Sequence, residues 1–257
     1  MPAIHTLHLD RPILELDAAY VQGRAHLVGH TDTELVGQAA SVIGIGHHWN
    51  AERFAKFPDL RVISRMGIGY DNVDLDAARA AGVVVCNGPD SPTVSTAEHA
   101  VMLLLAVTKE LPIQQARAAE GIGGPAVASS LELDGATLGL VGLGRIGVRV
   151  ARAALGLGMR VIASDPGIEQ SPIDDVELVG LDELFATSHV ISLHAPSTPA
   201  TRHMINADSI ASMRRGVYLV NCARGPLIDQ DALVAAIDSA HVAGAALDVT
   251  DPEPLPI

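Results

Sequence analysis

Gly142-Leu143-Gly144-Arg145-Ile146-Gly147 follows the pattern GxGxxG, a spacing that lets a backbone turn close in on a pyrophosphate. Gly-rich turns are common in a chain with 24 glycines, so the pattern alone says little. Its context says more. It follows the β-rich run TLGLV and opens the stretch IGVRVARAALGLG, a helix whose first N–H groups and positive dipole end would meet the phosphates. Asp165 closes the next β-rich run, near the spacing of roughly 20 residues at which an acid accepts from both ribose hydroxyls and repels a 2′-phosphate. No arginine follows to receive such a phosphate. These residues point to NAD rather than NADP; the competing account is a structural glycine turn with Asp165 capping a loop.

Arg224 follows the run VYLVNCA, at the carboxyl edge where an open α/β sheet binds ligands. A guanidinium there can hold a carboxylate with two hydrogen bonds and polarise the neighbouring carbonyl; it can also simply bond the preceding loop carbonyls. His47-His48-Trp49, after the third strand signal, is a candidate for substrate selectivity, against solvated histidines beside a tryptophan packed on a helix. They are the sole adjacent pair among eleven histidines, and no HExxH occurs, so no metal site is expected.

Groups so placed need two successive α/β series. Strand signals of the first lie at 4–9, 25–29, 41–45, 61–65 and 83–86. Asn50 can cap AERFAKF, and Asp71 or Asn72 can cap VDLDAARAA before Gly82 ends it. A helix from about Thr96 to Lys109 follows, apolar nearly all round in AVMLLLAV and so expected to be buried, with Pro112 just past its end. GIGGPAVASS (121–130) reads as a loop. The second series has strand signals at 137–142, 159–164, 189–195, 217–223 and 242–249. Asp182 can open a short helix, Arg214 and Arg215 suit the end of a helix closed by Gly216, and Asp229 or Asp231 can start DALVAAIDSA. Strands and helices alternating in this way predict an α/β fold with two doubly wound parallel-sheet domains, at 1–98 and 99–257.

Composition agrees. Apolar residues are 48% of the chain but aromatics only 3%, so the core is Ala, Val, Leu and Ile, as suits parallel strands covered on both faces. A formal charge of −13 with no basic block argues against nucleic acid or an anionic membrane surface as partner. Cys86 and Cys222 sit in apolar runs without CxxC and read as buried free thiols in a reducing compartment. No apolar run approaches the ~20 residues of a membrane span. MPAIHTLHLDRP lacks the basic start and apolar stretch of a signal peptide. The expectation is a soluble, cytoplasmic protein.

ISRMGIGYDNVDLDAARAAGV (63–83), NGPDSPTVSTAEHAVMLLL (87–105), HAPSTPATRHMIN (194–206), NCARGPLIDQDALVAAI (221–237) and AALDVTDPEPLP (245–256) occur in an order that resembles the D-2-hydroxyacid dehydrogenases, the family that includes phosphoglycerate dehydrogenase and glyoxylate reductase. The likeness runs from about residue 60 to the end. It implies a flavodoxin-like substrate domain, a Rossmann NAD-binding domain, and hydride transfer between NAD(H) and C2 of a small D-2-hydroxy acid or its 2-keto acid. Arg224 would be the substrate arginine, with the backbone amides of Ile68 and Gly69 on the carboxylate's far side. Glu253 would be the acid that pairs with the catalytic histidine and raises its pKa. Asp248 would face the nicotinamide carboxamide, and Thr96, Cys222 and Ala223 would line the nicotinamide pocket. Arg145, Ile146 and His194 would join Gly142, Gly144, Gly147 and Asp165 around the rest of the cofactor. A homodimer formed through the cofactor domain is implied as well. The family's catalytic histidine stands in a TPH-type segment beyond this glutamate, whereas the sequence ends at Ile257; the resemblance thus implies a chain cut short before its proton donor. An alternative of another class is a dinucleotide-binding module without turnover, corepressor-like or a truncated pseudoenzyme.

Overall fold

The computed structural model describes residues 5–9, 23–28, 38–44, 46–123 and 130–255. The chain divides into two compact units, Met1–Pro92 and Thr93–Ile257.

In the first unit, β1 (His5–Leu9), β2 (Ala25–Val28), β3 (Ser41–Gly44), β4 (Val62–Arg65) and β5 (Val84–Cys86) form an all-parallel sheet ordered β2-β1-β3-β4-β5. This is the flavodoxin-like order, with its switch point between β1 and β3. Asn50 caps α1 (Ala51–Ala55), its side chain accepting from the Arg53 N–H at 3.0 Å. The cap of α2 (Leu75–Ala80) is Asp74, which accepts from the Asp76 and Ala77 amides, and not Asp71 or Asn72 as expected. Tertiary pairing is the reason. Asn72 donates its side-chain N–H to the His47 carbonyl and accepts the Trp49 N–H, and Val73 bridges to Trp49, so the chain is still extended there. Gly82, at φ +69°, then ends the helix region as its sequence position suggested.

Trp49 is 1% exposed, lies 5.4 and 5.0 Å from the Phe54 and Phe57 rings, and carries the Arg53 guanidinium 5.0 Å above it. It is core packed on α1, while His47 and His48 are exposed. Cys86 corrects its expectation too: it is exposed, because β5 is an edge strand, whereas Cys222 is buried.

The second unit begins with α3 (Thr93–Thr108), three residues before the expected start; the sequence boundary at 98/99 falls inside this helix. α3 packs on α5, β10 and β11 (ranges below). It buries Ala97, Ala100 and Leu104 but leaves Val94 and Met102 exposed, so only one side of this apolar helix is covered within its unit. Pro112 is no stop signal. It sits in the first turn of α4 (Leu111–Ala119), where a missing N–H costs nothing, after the left-handed break at Glu110. Of the expected loop at 121–130, residues 124–129 lie outside the described residues.

Then follow β6 (Thr137–Val141), α5 (Arg145–Gly156), β7 (Arg160–Ser164), β8 (Val176–Leu178), α6 (Leu181–Thr187), β9 (Val190–Leu193), α7 (Ala207–Ser212), β10 (Val217–Asn221), α8 (Gln230–Asp238) and β11 (Val242–Leu247). All pairs are parallel, in the order β11-β10-β9-β6-β7-β8. That is the Rossmann order, reversing between β6 and β9. No strand signal marks β8 in the sequence, since it is a three-residue edge strand too short for a periodic pattern. α7 stops at Ser212, so Arg214 and Arg215 lie in the turn to β10 rather than in a last helical turn. Asp182 falls in the first turn of α6 behind Gly180, and Asp229 caps α8. β6, β9 and β10 are buried at every residue. A Cβ on Gly139 of β6 would come within 2.2 Å of Ser188 Oγ and 2.7 Å of Leu184, so glycine lets α6 lie close on the sheet. No helix among the described residues is long and apolar enough to cross a membrane, and no three potential ligands cluster there as a metal site would require.

Candidate active site

The first group of candidate residues meets at the β6/β9 switch point. Gly142 has φ +97°, and a Cβ on it would lie 2.9 Å from the His194 carbonyl; a Cβ on Gly147 would lie 2.3 Å from the Gly142 oxygen. These two glycines are dictated by packing. Gly144 differs: it is exposed, a Cβ there would meet nothing within 4 Å, and it begins α5 without a side-chain cap. An uncapped N-terminus behind an open glycine fits a pyrophosphate. Arg145 is exposed at the first helical position and Ile146 half-buried behind it.

Asp165 is half-buried past β7. One oxygen accepts the Leu143 N–H and the other the Gly167 N–H, each at 2.9 Å. It therefore ties the turn to β7, as the capping account proposed. Each carboxylate oxygen still has a second lone pair for a hydroxyl, so this role and contact with a ribose are compatible.

His194 donates its backbone N–H to Val141 at 2.7 Å, and its Nε2 lies 2.9 Å from Ser192 Oγ. Burial pushes its pKa down to about 4, so the ring is neutral at neutral pH.

A second group lies past β10 and β11. Buried Asn221 organises it: its side chain accepts the Ala223 N–H and donates to the Arg224 carbonyl, both at 2.9 Å, while its own carbonyl takes the Asp248 N–H. Arg224 is half-buried, and its Nη1 donates to the Ala223 carbonyl at 2.7 Å. The loop-carbonyl role weighed for this arginine is thus realised. A Cβ on Gly225 would come within 1.9 Å of the Thr250 oxygen, so glycine seats the 248–253 segment against the Arg224 turn. Gln230 holds that segment from the other side, its amide exchanging hydrogen bonds with the Asp251 carbonyl and N–H. Glu253 is exposed on it. The Cys222 thiol is pushed up to about 12, chiefly by burial and further by the Asp248 charge, which excludes it as a nucleophile near neutral pH. Asp248 Oδ1 is 3.2 Å from His99 Nε2 on α3, one turn beyond half-buried Thr96.

In the first unit, the carbonyls of Gly67, Ile68 and Gly69 are all engaged. They accept from the Gly88 N–H (3.1 Å), Asn87 Nδ2 (2.9 Å) and Arg65 Nε (3.1 Å). Arg65 is 7% exposed and also donates to the Gly44 carbonyl at 3.0 Å. The amides of Ile68 and Gly69 have no acceptor among the described residues. Fixed carbonyls leave those two amides available, and a turn of this kind could receive an anion.

Residues 101–257, more than half of the chain, match the family described as D-isomer specific 2-hydroxyacid dehydrogenase, NAD binding domain. The chain belongs to the D-isomer specific 2-hydroxyacid dehydrogenases. The cofactor is NAD, which the turn at Gly142–Gly147 fits. D-3-phosphoglycerate dehydrogenase of Mycobacterium tuberculosis (strain ATCC 25618 / H37Rv) is 42% identical over 229 residues, covering 88% of this chain and 42% of that protein. The chain spans less than half the length of the curated relatives it matches. The TT0316 protein from Thermus thermophilus superposes with a TM-score of 0.89 at 36% identity, covering 98% of this chain and 84% of that one. D-lactate dehydrogenase from Aquifex aeolicus, solved with NAD and lactic acid, gives 0.87 at 32% identity, covering 96% and 77%.

Sequence reasoning missed Arg65, Asn87, His99, Asn221 and Gln230. Asn221 and Gln230 stand inside a quoted motif, yet nothing local says that their amides brace backbone. Arg65 carried one signal, a charge two residues past apolar Ile63 and so on the same, buried face of the strand.

Proposed function

We propose that the chain interconverts a small D-2-hydroxy acid and its 2-keto acid. The observation that carries this reading is the uncapped, open glycine turn at the β6/β9 switch point with Asp165 beside it, in a chain of this family. Gly142, Gly144, Arg145, Ile146, Gly147 and His194 hold the dinucleotide's phosphate side, and Asp165 its adenosine ribose. Thr96, Cys222, Ala223 and Asp248 surround the nicotinamide. NAD held there would supply the redox chemistry, as hydride acceptor or donor toward C2 of the acid. Arg224 anchors the carboxylate and polarises the adjacent carbonyl, helped by the Ile68 and Gly69 amides, and Glu253 tunes the proton donor. The substrate domain is the first unit, and the assembly is a cytoplasmic homodimer, which sedimentation at micromolar concentration checks; a monomer there refutes the dimer.

NADH and NADPH titrations test the cofactor assignment. NADH should bind more tightly, and Asp165→Ala should narrow the gap; equal affinities in the parent chain overturn the role of Asp165. A second reading, dinucleotide binding without turnover, rests on Glu253, which is exposed and has no ion-pair partner among the described residues. Steady-state assays with NADH and glyoxylate or hydroxypyruvate separate the two. Turnover sinks the second reading; tight NADH binding with no oxidation supports it, and no NADH binding sinks both.

A further inference from the structure

We infer that His99 is a positioning residue for the nicotinamide end of the cofactor, acting through Asp248. The inference rests on the reading of Asp248 given above. Asp248 is held by its backbone, the N–H donating to Asn221, but its side chain projects from the end of an edge strand and is about half exposed. A carboxylate in that setting samples several rotamers unless something fixes it. Among the described residues the one close side-chain partner of that carboxylate is His99, whose Nε2 lies 3.2 Å from Oδ1, within ion-pair distance. Oδ2 is left to accept from a ligand.

The placement of His99 supports the assignment. It follows Thr96 by one helical turn on α3, so the two share a face. Asp248 in turn lies close enough to Cys222 to raise the thiol's pKa. Three elements, α3, β10 and β11, thereby converge on one carboxylate inside a single unit. A primary carboxamide offers two N–H donors and needs a fixed acceptor to hold its plane. An Asp248 pinned at Oδ1 presents Oδ2 in one direction and supplies that acceptor.

The test compares two ligands that share the adenosine and pyrophosphate but differ in the nicotinamide, NADH and ADP-ribose. His99 is about 41% exposed on its side chain, so replacing it should spare the fold. His99→Ala should weaken NADH by up to about five-fold, the scale of a half-exposed polar pair, and leave ADP-ribose unchanged. His99→Gln, which keeps an N–H near the Nε2 position, should restore most of the loss. Asp248→Ala should reproduce the His99→Ala pattern, and the double variant should be no weaker than Asp248→Ala alone. Asp165→Ala serves as control and should weaken both ligands alike. If His99→Ala leaves NADH unaffected, weakens ADP-ribose equally, or is not rescued by Gln, the inference fails while the cofactor reading stands. If Asp165→Ala and Asp248→Ala both leave NADH untouched, the site reading fails and the inference with it.

Discussion

Two Gly-rich turns at the carboxyl edges of two parallel sheets keep their shape by different means. The turn at Gly142–Gly147 is held by backbone packing: the first and third glycines touch main chain so closely that no Cβ fits, and a neutral histidine adjoins it. The turn at 67–69 is held by side chains. Arg65 and Asn87 occupy two of its three carbonyls, and a Cβ on Gly67 would meet nothing within 4 Å. The first arrangement tolerates no added atom, whereas the second tolerates atoms on the turn but not loss of its braces.

The largest expected effect is on the brace. Arg65→Met removes two charge-assisted bonds, one to a buried and one to a part-buried carbonyl, and should destabilise the first unit by roughly 3 kcal/mol. Urea unfolding monitored through Trp49, the chain's single tryptophan, measures it; a loss under about 0.5 kcal/mol, the level of an ordinary surface change, would erase the contrast.

Acid should separate the turns next. The folded-state pKa of His194 is pushed down to about 4 from an ordinary 6.5. Its contribution is therefore fully present above pH 6.5 and is lost as pH falls toward 4, because the unfolded chain binds the proton first. The loss amounts to about 3 kcal/mol at most. Arg65 stays charged throughout that range. Amide exchange near 139–147 and 190–194 should accelerate between pH 6.5 and 4 more than exchange at 62–70. Equal acceleration in the two regions would show that His194 is not the cause, and His194→Gln should flatten the difference.

The smallest effect sharpens the steric side of the comparison. Gly147→Ala should cost about 1–3 kcal/mol and weaken NADH about 10- to 100-fold, because the Gly142 carbonyl must move. Gly67→Ala should stay within about 0.5 kcal/mol. Thermal melts of the two variants decide it, and similar losses would contradict the geometry.

Local sequence was enough for whatever depends on local rules. The alternation of strand and helix signals anticipated ten of the eleven described strands, and the glycine spacing after TLGLV anticipated the turn that opens α5. Asn50 and Asp229 announced their helices because a cap bonds amides only two or three residues away. Tertiary structure decided the rest. Asp74 rather than Asn72 caps α2 because Asn72 is drawn off to residues 47 and 49, more than twenty positions earlier. Cys86 is exposed because strand order, absent from the local pattern, puts β5 at an edge. Asn221, Gln230 and His99 in the second unit, and Arg65 in the first, meet backbone or carboxylate partners that the fold of their own unit brings near. A side-chain amide or imidazole looks alike in sequence whether it faces water or braces a loop, since its partner is chosen by the packing of other elements and not by its neighbours in the chain.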